Sequence, residues 1–255
     1  MKSHFSLIWE SVADAVPEHV ALIQGERRIS WRDYEDRAAR LAQGLLDAGL
    51  GHDSKVGMYL YNSPEYAETN FAAMKIGGVP INVNYRYLDD ELHYLLENAD
   101  IEALVFHSSL GDRVARVCDR LPMLKAMICV DDGPAEDGSM GPTTGIPYDT
   151  FLSQASGTAK TQPQGDEIYM LYTGGTTGMP KGVMYPLDGF TEFFMRGFPP
   201  MIGLPPFEDA AQFGPAARQM VDANTTVVAM SGPPLMHGTG CWLGLMFPHM
   251  LGGTS

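Results

Sequence analysis

The densest concentration of groups able to handle an anion lies between Tyr172 and Val183, which read Tyr-Thr-Gly-Gly-Thr-Thr-Gly-Met-Pro-Lys-Gly-Val. Gly174, Gly175 and Gly178 let the backbone approach a ligand closely and turn N–H groups toward a common point, where anions collect. The hydroxyls of Thr173, Thr176 and Thr177 add donors, and Lys181 adds a point charge suited to phosphate. The spacing is not that of nucleotide triphosphatases, which set Gly before the lysine and Ser or Thr after it. Here Pro180 precedes Lys181 and Gly182 follows. The segment therefore predicts a polyphosphate cradle of another kind, against the plain alternative of a Gly/Thr-rich surface loop.

Further candidates follow downstream. Pro233-Pro234-Leu235-Met236-His237-Gly238 sets a histidine after a double proline, a pattern that in isolation reads as a satisfied structural histidine. Trp242, Leu243, Leu245, Met246 and Phe247 would make an apolar wall just past it. The chain has sixteen methionines, and methionine adapts to irregular apolar tunnels as well as to ordinary cores.

These groups need rigid elements behind them, and the sequence up to about residue 130 supplies alternating helix and strand patterns, the signature of an α/β sandwich built from crossover units. Ser30 is placed to cap a helix whose Tyr34, Ala38, Leu41 and Leu45 form one stripe, with Gly49 as its left-handed stop. Ser63-Pro64 opens a second helix, ended by Gly77-Gly78. Strands are expected at Lys55–Tyr61, Val79–Val83, Ile101–Phe106 and Lys125–Val130, with helices at Asp89–Asn98 and about Ser109–Arg120. Residues 131–165 turn to Asp, Gly, Pro, Ser and Thr, with Phe151 and Leu152 as rare anchors, and read as mostly surface linker. Glu167–Tyr172 is a strand candidate leading into the glycine-rich loop. The expected organisation is a first α/β subdomain over 1–165 and a second region over 166–255.

Composition narrows the function classes. The 255 residues carry 17 Lys and Arg against 31 Asp and Glu, a formal charge of −14. Counterion release on nucleic acid and attraction to anionic lipid both need a basic face, so neither is an expected partner. With 45% hydrophobic and 19% charged residues the chain reads as a packed globular protein. No apolar window approaches the roughly 18–20 residues that span a bilayer, and the start lacks a secretory pattern, so a cytoplasmic location is expected. Cys118, Cys129 and Cys241 are widely spaced and read as buried free thiols.

The Tyr172–Val183 string resembles the phosphate-binding signature of the adenylate-forming superfamily, which comprises acyl-CoA synthetases, luciferases and peptide-synthetase adenylation domains. Its usual form is Tyr-Thr-Ser-Gly-Thr-Thr-Gly-x-Pro-Lys-Gly. Gly174 stands where Ser is usual, which is similar to some fatty- and steroid-acid CoA ligases. His237 looks like the family's Pro-x-x-His histidine beside the reacting carboxylate, with Trp242 in the acyl site. Asn82-Val83-Asn84-Tyr85-Arg86, followed by Glu91-Leu92, is similar to a segment that contributes a CoA-phosphate contact in some relatives. For Arg86 a surface ion pair stays equally open. Arg28 to Tyr34 resembles the family's hairpin-then-helix opening.

The resemblance implies the N-terminal portion of the adenylate-forming fold, an α/β arrangement of stacked β-sheets with flanking helices. It further implies an ATP-dependent acyl-CoA synthetase. ATP and a carboxylic acid would give an acyl-adenylate and pyrophosphate, after which CoA would displace AMP. The bulky apolar residues favour a long-chain fatty or steroid-type acid. Mg²⁺ would come with the ATP phosphates, with no metal ligand of the protein's own. A carrier-protein-loading adenylation domain and a non-catalytic nucleotide- or acyl-binding module stay open as alternatives, as does a homodimer for the complete enzyme. The family's Tyr-Gly-x-Thr-Glu and Thr-Gly-Asp segments and its C-terminal lid with a catalytic lysine do not occur in the sequence. The expectation is an N-terminal piece, incomplete at its C-terminus and inactive alone. Its last residues would run an apolar helix into a Gly-Gly turn and leave a sheet edge unpaired, favouring aggregation.

Overall fold

The computed structural model describes residues 3–133, 144–175 and 178–255. Helix α1 (Phe5–Ala15) leads into a hairpin of β1 (Val20–Gln24) and β2 (Arg27–Ser30), turned at Gly25 with φ 56°. Then α2 (Trp31–Asp47), β3 (Lys55–Tyr59), α3 (Pro64–Lys75), β4 (Val79–Asn82), α4 (Asp89–Asn98), β5 (Ile101–His107), α5 (Gly111–Cys118) and β6 (Ala126–Val130) alternate. A short β7 (Ile146–Pro147) and α6 (Tyr148–Gln154) follow. The chain continues with β8 (Ile168–Gly175), β9 (Gly178–Pro186), α7 (Leu187–Gly197), α8 (Phe213–Asp222), α9 (Gly238–Cys241) and α10 (Phe247–Met250).

The expected caps are in place. Ser30 Oγ accepts the Asp33 N–H at 3.1 Å and Ser63 Oγ accepts the Tyr66 N–H at 3.3 Å, satisfying donors that helix starts leave free. Gly49 and Gly77, with φ of 80° and 67°, end α2 and α3 in the left-handed region.

Strands β4, β3, β5, β6 and β7 lie in that order in one parallel sheet. Along β5, Ala103 and Val105 enter a large core with Trp9, Trp31, Tyr34 and Phe71, while Leu104 and Phe106 enter a smaller one with Leu92, Leu95 and Val114. The two-residue period of the strand thus feeds two cores, one on each face. The large core also takes Leu171, Phe194, Leu245 and Met250, so it is shared by residues on both sides of position 165.

Three details differ from the sequence expectation. The 131–165 linker, where described, contains β7 and α6, and α6 is anchored by buried Tyr148 beside Phe151 and Leu152. The Tyr148 hydroxyl donates to Glu68 at 2.8 Å, a partner eighty positions away that local composition cannot announce. The cysteines are free, but Cys118 and Cys129 are only half-buried and Cys241 alone is buried. At the C-terminal end, Thr254 bonds to Val227 and Ala229 while Ser255 bonds to Ala21 and Ile23, so both residues are paired as a strand would be. No helix among the described residues is long and apolar enough to cross a membrane.

Two histidines inside the fold set an acid limit. Burial pushes His249 from 6.5 down to about 3, and His249 packs edge-on against Trp31 and Tyr34. Burial likewise pushes His4 down to about 4. Both are held neutral in the fold and take a proton readily only when unfolded. Their contribution is therefore intact above 6.5 and is lost as the pH falls toward 3. Urea titrations should show each costing roughly 1.4 kcal/mol per pH unit from 6.5 down to its folded value, about 4 for His4 and about 3 for His249. A His249→Gln variant with the same acid slope as the wild type would refute the assignment.

Candidate functional site

The phosphate-type segment is not an extended loop. Strand β8 runs on through Thr173 to Gly175 and pairs antiparallel with β9, with Thr173 opposite Lys181 and Gly175 opposite Gly178. The glycine and threonine composition signals a loop, yet the flanking Tyr, Leu, Thr and Val residues suit a ladder, and the ladder wins. Thr176 and Thr177, also singled out as donors, lie outside the described residues. Directly opposed residues share a face of the ribbon with Cβ atoms about 4.5–5.5 Å apart, so the Thr173 hydroxyl and Lys181 amine project together. Both are exposed. Lys181 has no ion pair or hydrogen bond among the described residues. A Cβ built on Gly174 or Gly178 meets no atom within 4 Å. Packing among the described residues therefore requires neither glycine, and among those residues their bare backbone is open to an approaching phosphate.

The His237 segment reaches the same place by a different route. Its backbone turns into α9, with the His237 N–H donating to Pro234 O at 3.0 Å. The preceding residues are held by side chains of the parallel-sheet unit. Asn62 Oδ1 accepts the Leu235 N–H at 2.8 Å, the fully buried Tyr66 hydroxyl donates to Leu235 O at 3.0 Å, and Asn82 Nδ2 donates to Met236 O at 2.7 Å. Gly238 sits so close to Leu171 of β8 that an added Cβ would lie 2.9 Å from its methyl carbon. Gly240 likewise leaves no room between α9 and the carbonyls of Pro233 and Pro234. His237 itself is exposed.

Past α9 the helix widens into a π-helical turn over Trp242–Met246, a form often found at functional sites. The Trp242 ring is packed among Tyr169, Tyr185, Phe190 and Phe194, and its indole N–H donates to the Tyr169 hydroxyl at 3.3 Å. Leu245, Met246 and Phe247 are core residues, and Leu243 is exposed. The expected apolar wall is thus mainly a filled aromatic and aliphatic cluster. A separate cavity of about 400 Å³ lies between Leu22, Pro64, Ala67, Leu235 and Leu245, with Asn62 and Ser63 on its lining. Burial pushes the Cys241 thiol up to about 12, which removes it as a nucleophile.

Arg86 is exposed, with its guanidinium 5.9 Å from the Tyr85 ring centre. It forms no ion pair among the described residues, whereas Arg116 takes Asp89 at 2.6 Å. The arrangement brings the Thr173–Lys181 ribbon and the His237 segment together through Asn82, while Arg86 lies on the loop after β4. Sequence reasoning missed Asn62 and Tyr66, and quoted Asn82 without giving it a task. Hydrogen-bonding side chains before or at the start of α3 and at the end of β4 were the available signal.

A family model described as AMP-binding enzyme matches residues 9–255. The chain is 37% identical over 240 residues to a medium/long-chain-fatty-acid–CoA/3-oxocholest-4-en-26-oate–CoA ligase of Mycolicibacterium smegmatis, covering 92% of this chain and 42% of that protein. It is 37% identical over 234 residues to a 3-oxocholest-4-en-26-oate–CoA ligase of Rhodococcus rhodochrous, covering 91% and 41%. The chain thus spans about two-fifths of the length of these curated relatives. The crystal structure of the anthranilate CoA ligase AuaEII with anthranoyl-AMP superposes with a TM-score of 0.77 at 20% identity, over 99% of this chain and 44% of that one, a likeness of fold.

Proposed function

Because the chain belongs to the AMP-binding enzyme family, we propose that it supplies the ATP-phosphate and carboxylate-side parts of an AMP-forming acid–thiol ligase for hydrophobic carboxylic acids. The carrying observation is Lys181, unpaired among the described residues, opposite Thr173 on a ribbon whose Gly174 and Gly178 meet no described atom that a side chain would crowd. The names of the relatives support a fatty- or steroid-acid substrate and CoA as acceptor.

A carboxylate resists attack because its carbonyl carbon sits beside delocalised negative charge. Forming a mixed anhydride with AMP gives it a good leaving group. This chain's task in that step is electrostatic. Lys181, Thr173 and the N–H groups around Gly174, Gly175 and Gly178, with the hydroxyls of Thr176 and Thr177 as further donors, would hold the phosphates and offset charge on the departing pyrophosphate. Mg²⁺ would add charge neutralisation on the phosphate oxygens, bound through them. His237 would lie on the carboxylate side, with Trp242 shaping the acyl end and Arg86 reaching a CoA phosphate. In this reading residues up to 165 are the supporting subdomain, and the nucleotide and acyl region begins at 166.

Pyrophosphate exchange into ATP that depends on an added hydrophobic acid, measured with this chain grafted in place of the matching two-fifths of the Mycolicibacterium smegmatis ligase, tests the reading. Exchange that disappears in Lys181→Ala supports it, and ATP binding with no acid-dependent exchange would replace it with a nucleotide-binding module. In the same assay Trp242→Ala should shift the acid-length preference. Unchanged selectivity would assign Trp242 to packing alone.

A further inference from the structure

We propose that Asn82 is a positioning residue that locks the phosphate ribbon and the His237 segment into one unit, so that ATP held by the first rigidifies the second. The proposal rests on the ligase reading for what the two segments bind.

Asn82 ends β4 and is buried, 8% exposed. Its Oδ1 accepts the Tyr172 N–H at 2.7 Å, and its Nδ2 donates to Tyr172 O at 2.9 Å and to Met236 O at 2.7 Å. Both amide donors are used, and Oδ1 accepts one further bond. Tyr172 meets this side chain as it would meet the peptide of a neighbouring strand, with N–H and C=O both engaged. The parallel sheet thereby continues from β4 into β8 through a side chain where no backbone ladder forms.

The consequence lies in what adjoins the two anchored backbones. Tyr172 directly precedes Thr173, which faces Lys181, and Met236 directly precedes His237. One amide therefore sets the positions of both. Asn62 and Tyr66 also hold Leu235, but neither touches β8. Only Asn82 bonds to both segments among the described residues. An aspartate of the same shape keeps the acceptor, loses both donors and turns oxygens toward two carbonyls, leaving buried acceptors unpaired.

Amide hydrogen exchange on the full chain, with and without ATP and MgCl₂, tests the proposal. In the wild type ATP should slow exchange at Thr173–Gly175 and also at the His237 N–H. In Asn82→Asp, ATP should bind about tenfold more weakly and lose its effect on His237, while Val105 and Phe106 in β5 exchange as before. Tyr66→Phe is the control for a merely structural role, since it should speed exchange at residues 235–237 yet keep the ATP-dependent slowing of the His237 N–H. Wild-type ATP affinity in Asn82→Asp, or ATP protection of His237 that survives there, would overturn the proposal. If the wild type binds no ATP, or Asn82→Asp does not fold, wild-type exchange in dilute urea decides. The Tyr172 and His237 N–H groups opening in one event supports the lock, and separate openings refute it. Failure of ATP binding alone sinks the ligase reading and leaves the lock to that urea measurement.

Discussion

Replacing Lys181 by alanine should weaken ATP binding by roughly thirty- to 150-fold, about 2–3 kcal/mol, while changing folding stability by no more than about 0.5 kcal/mol. The split follows from the side chain's position. Lys181 is exposed and unpaired among the described residues, so the folded protein loses no described hydrogen bond or ion pair when it goes. Lys181 stands opposite Thr173 on the ribbon, where a hydrogen bond to a bound phosphate would be stronger than a neutral one. The chain's formal charge of −14 repels a polyanion, so general surface attraction cannot replace the lost cation. Salt should shrink the difference, because an exposed charge is screened over about 8–10 Å at ordinary ionic strength. Lys181→Arg should recover part of the affinity, since its planar fork meets phosphate differently from a point ammonium. Calorimetric titration with ATP and Mg²⁺ at two salt concentrations reads all three effects. Equal affinities for wild type and Lys181→Ala would remove the phosphate role.

Much of the framework was legible because its signals are local. Ser30, Ser63, Gly49 and Gly77 announce helix ends within four residues of the backbone groups they serve, and those ends are where they were expected. The Tyr172–Val183 segment could be read for its donors and its charge but not for its shape, since a glycine- and threonine-rich string does not reveal that its two flanks pair as antiparallel strands. What stayed hidden depends on distant partners. Asn82 bonds across 90 positions to Tyr172 and 154 to Met236, and nothing near residue 82 marks that. Helix α3 is the extreme case. Every residue from Pro64 to Lys75 is buried, including Glu65, Glu68, Asn70 and Lys75. Periodicity cannot show that, because charged residues are almost never fully buried unless paired. Here the partners come from elsewhere: Arg27 for Glu65, Arg37 for Glu68, and Glu10 and Glu35 for Lys75.

The pairing of Glu68 carries the largest expected stability effect in the molecule. Its carboxylate, with a fully buried side chain, accepts from Arg37 Nε at 2.8 Å and from the Tyr148 hydroxyl at 2.8 Å, joining α2, α3 and α6. Arg37 also reaches Asp149 at 3.0 Å, on the solvent side. Burial pushes the Glu68 carboxyl above its usual range even though Arg37 and Tyr148 pull it down. Burial opposes the charge on Arg37 too, yet the Glu68 carboxylate holds that guanidinium above its ordinary value. Arg37→Met should cost about 3–5 kcal/mol, lowering Tm by roughly 6–20 °C, because a buried carboxylate is left with one neutral donor. The same physics fixes the sign of the pH dependence. As the pH falls toward the raised pKa of Glu68, the carboxyl takes up a proton and the penalty fades, so the gap between variant and wild type should narrow. A double variant, Arg37→Met with Glu68→Leu, should regain most of the loss, since removing both charges leaves neither unpaired. Urea unfolding of the wild type, both single variants and the double variant at two pH values completes the cycle. Additive losses would show that the pair is not coupled. Because Tyr66 on the same helix bonds to Leu235, the destabilised single variant should also loosen the His237 segment.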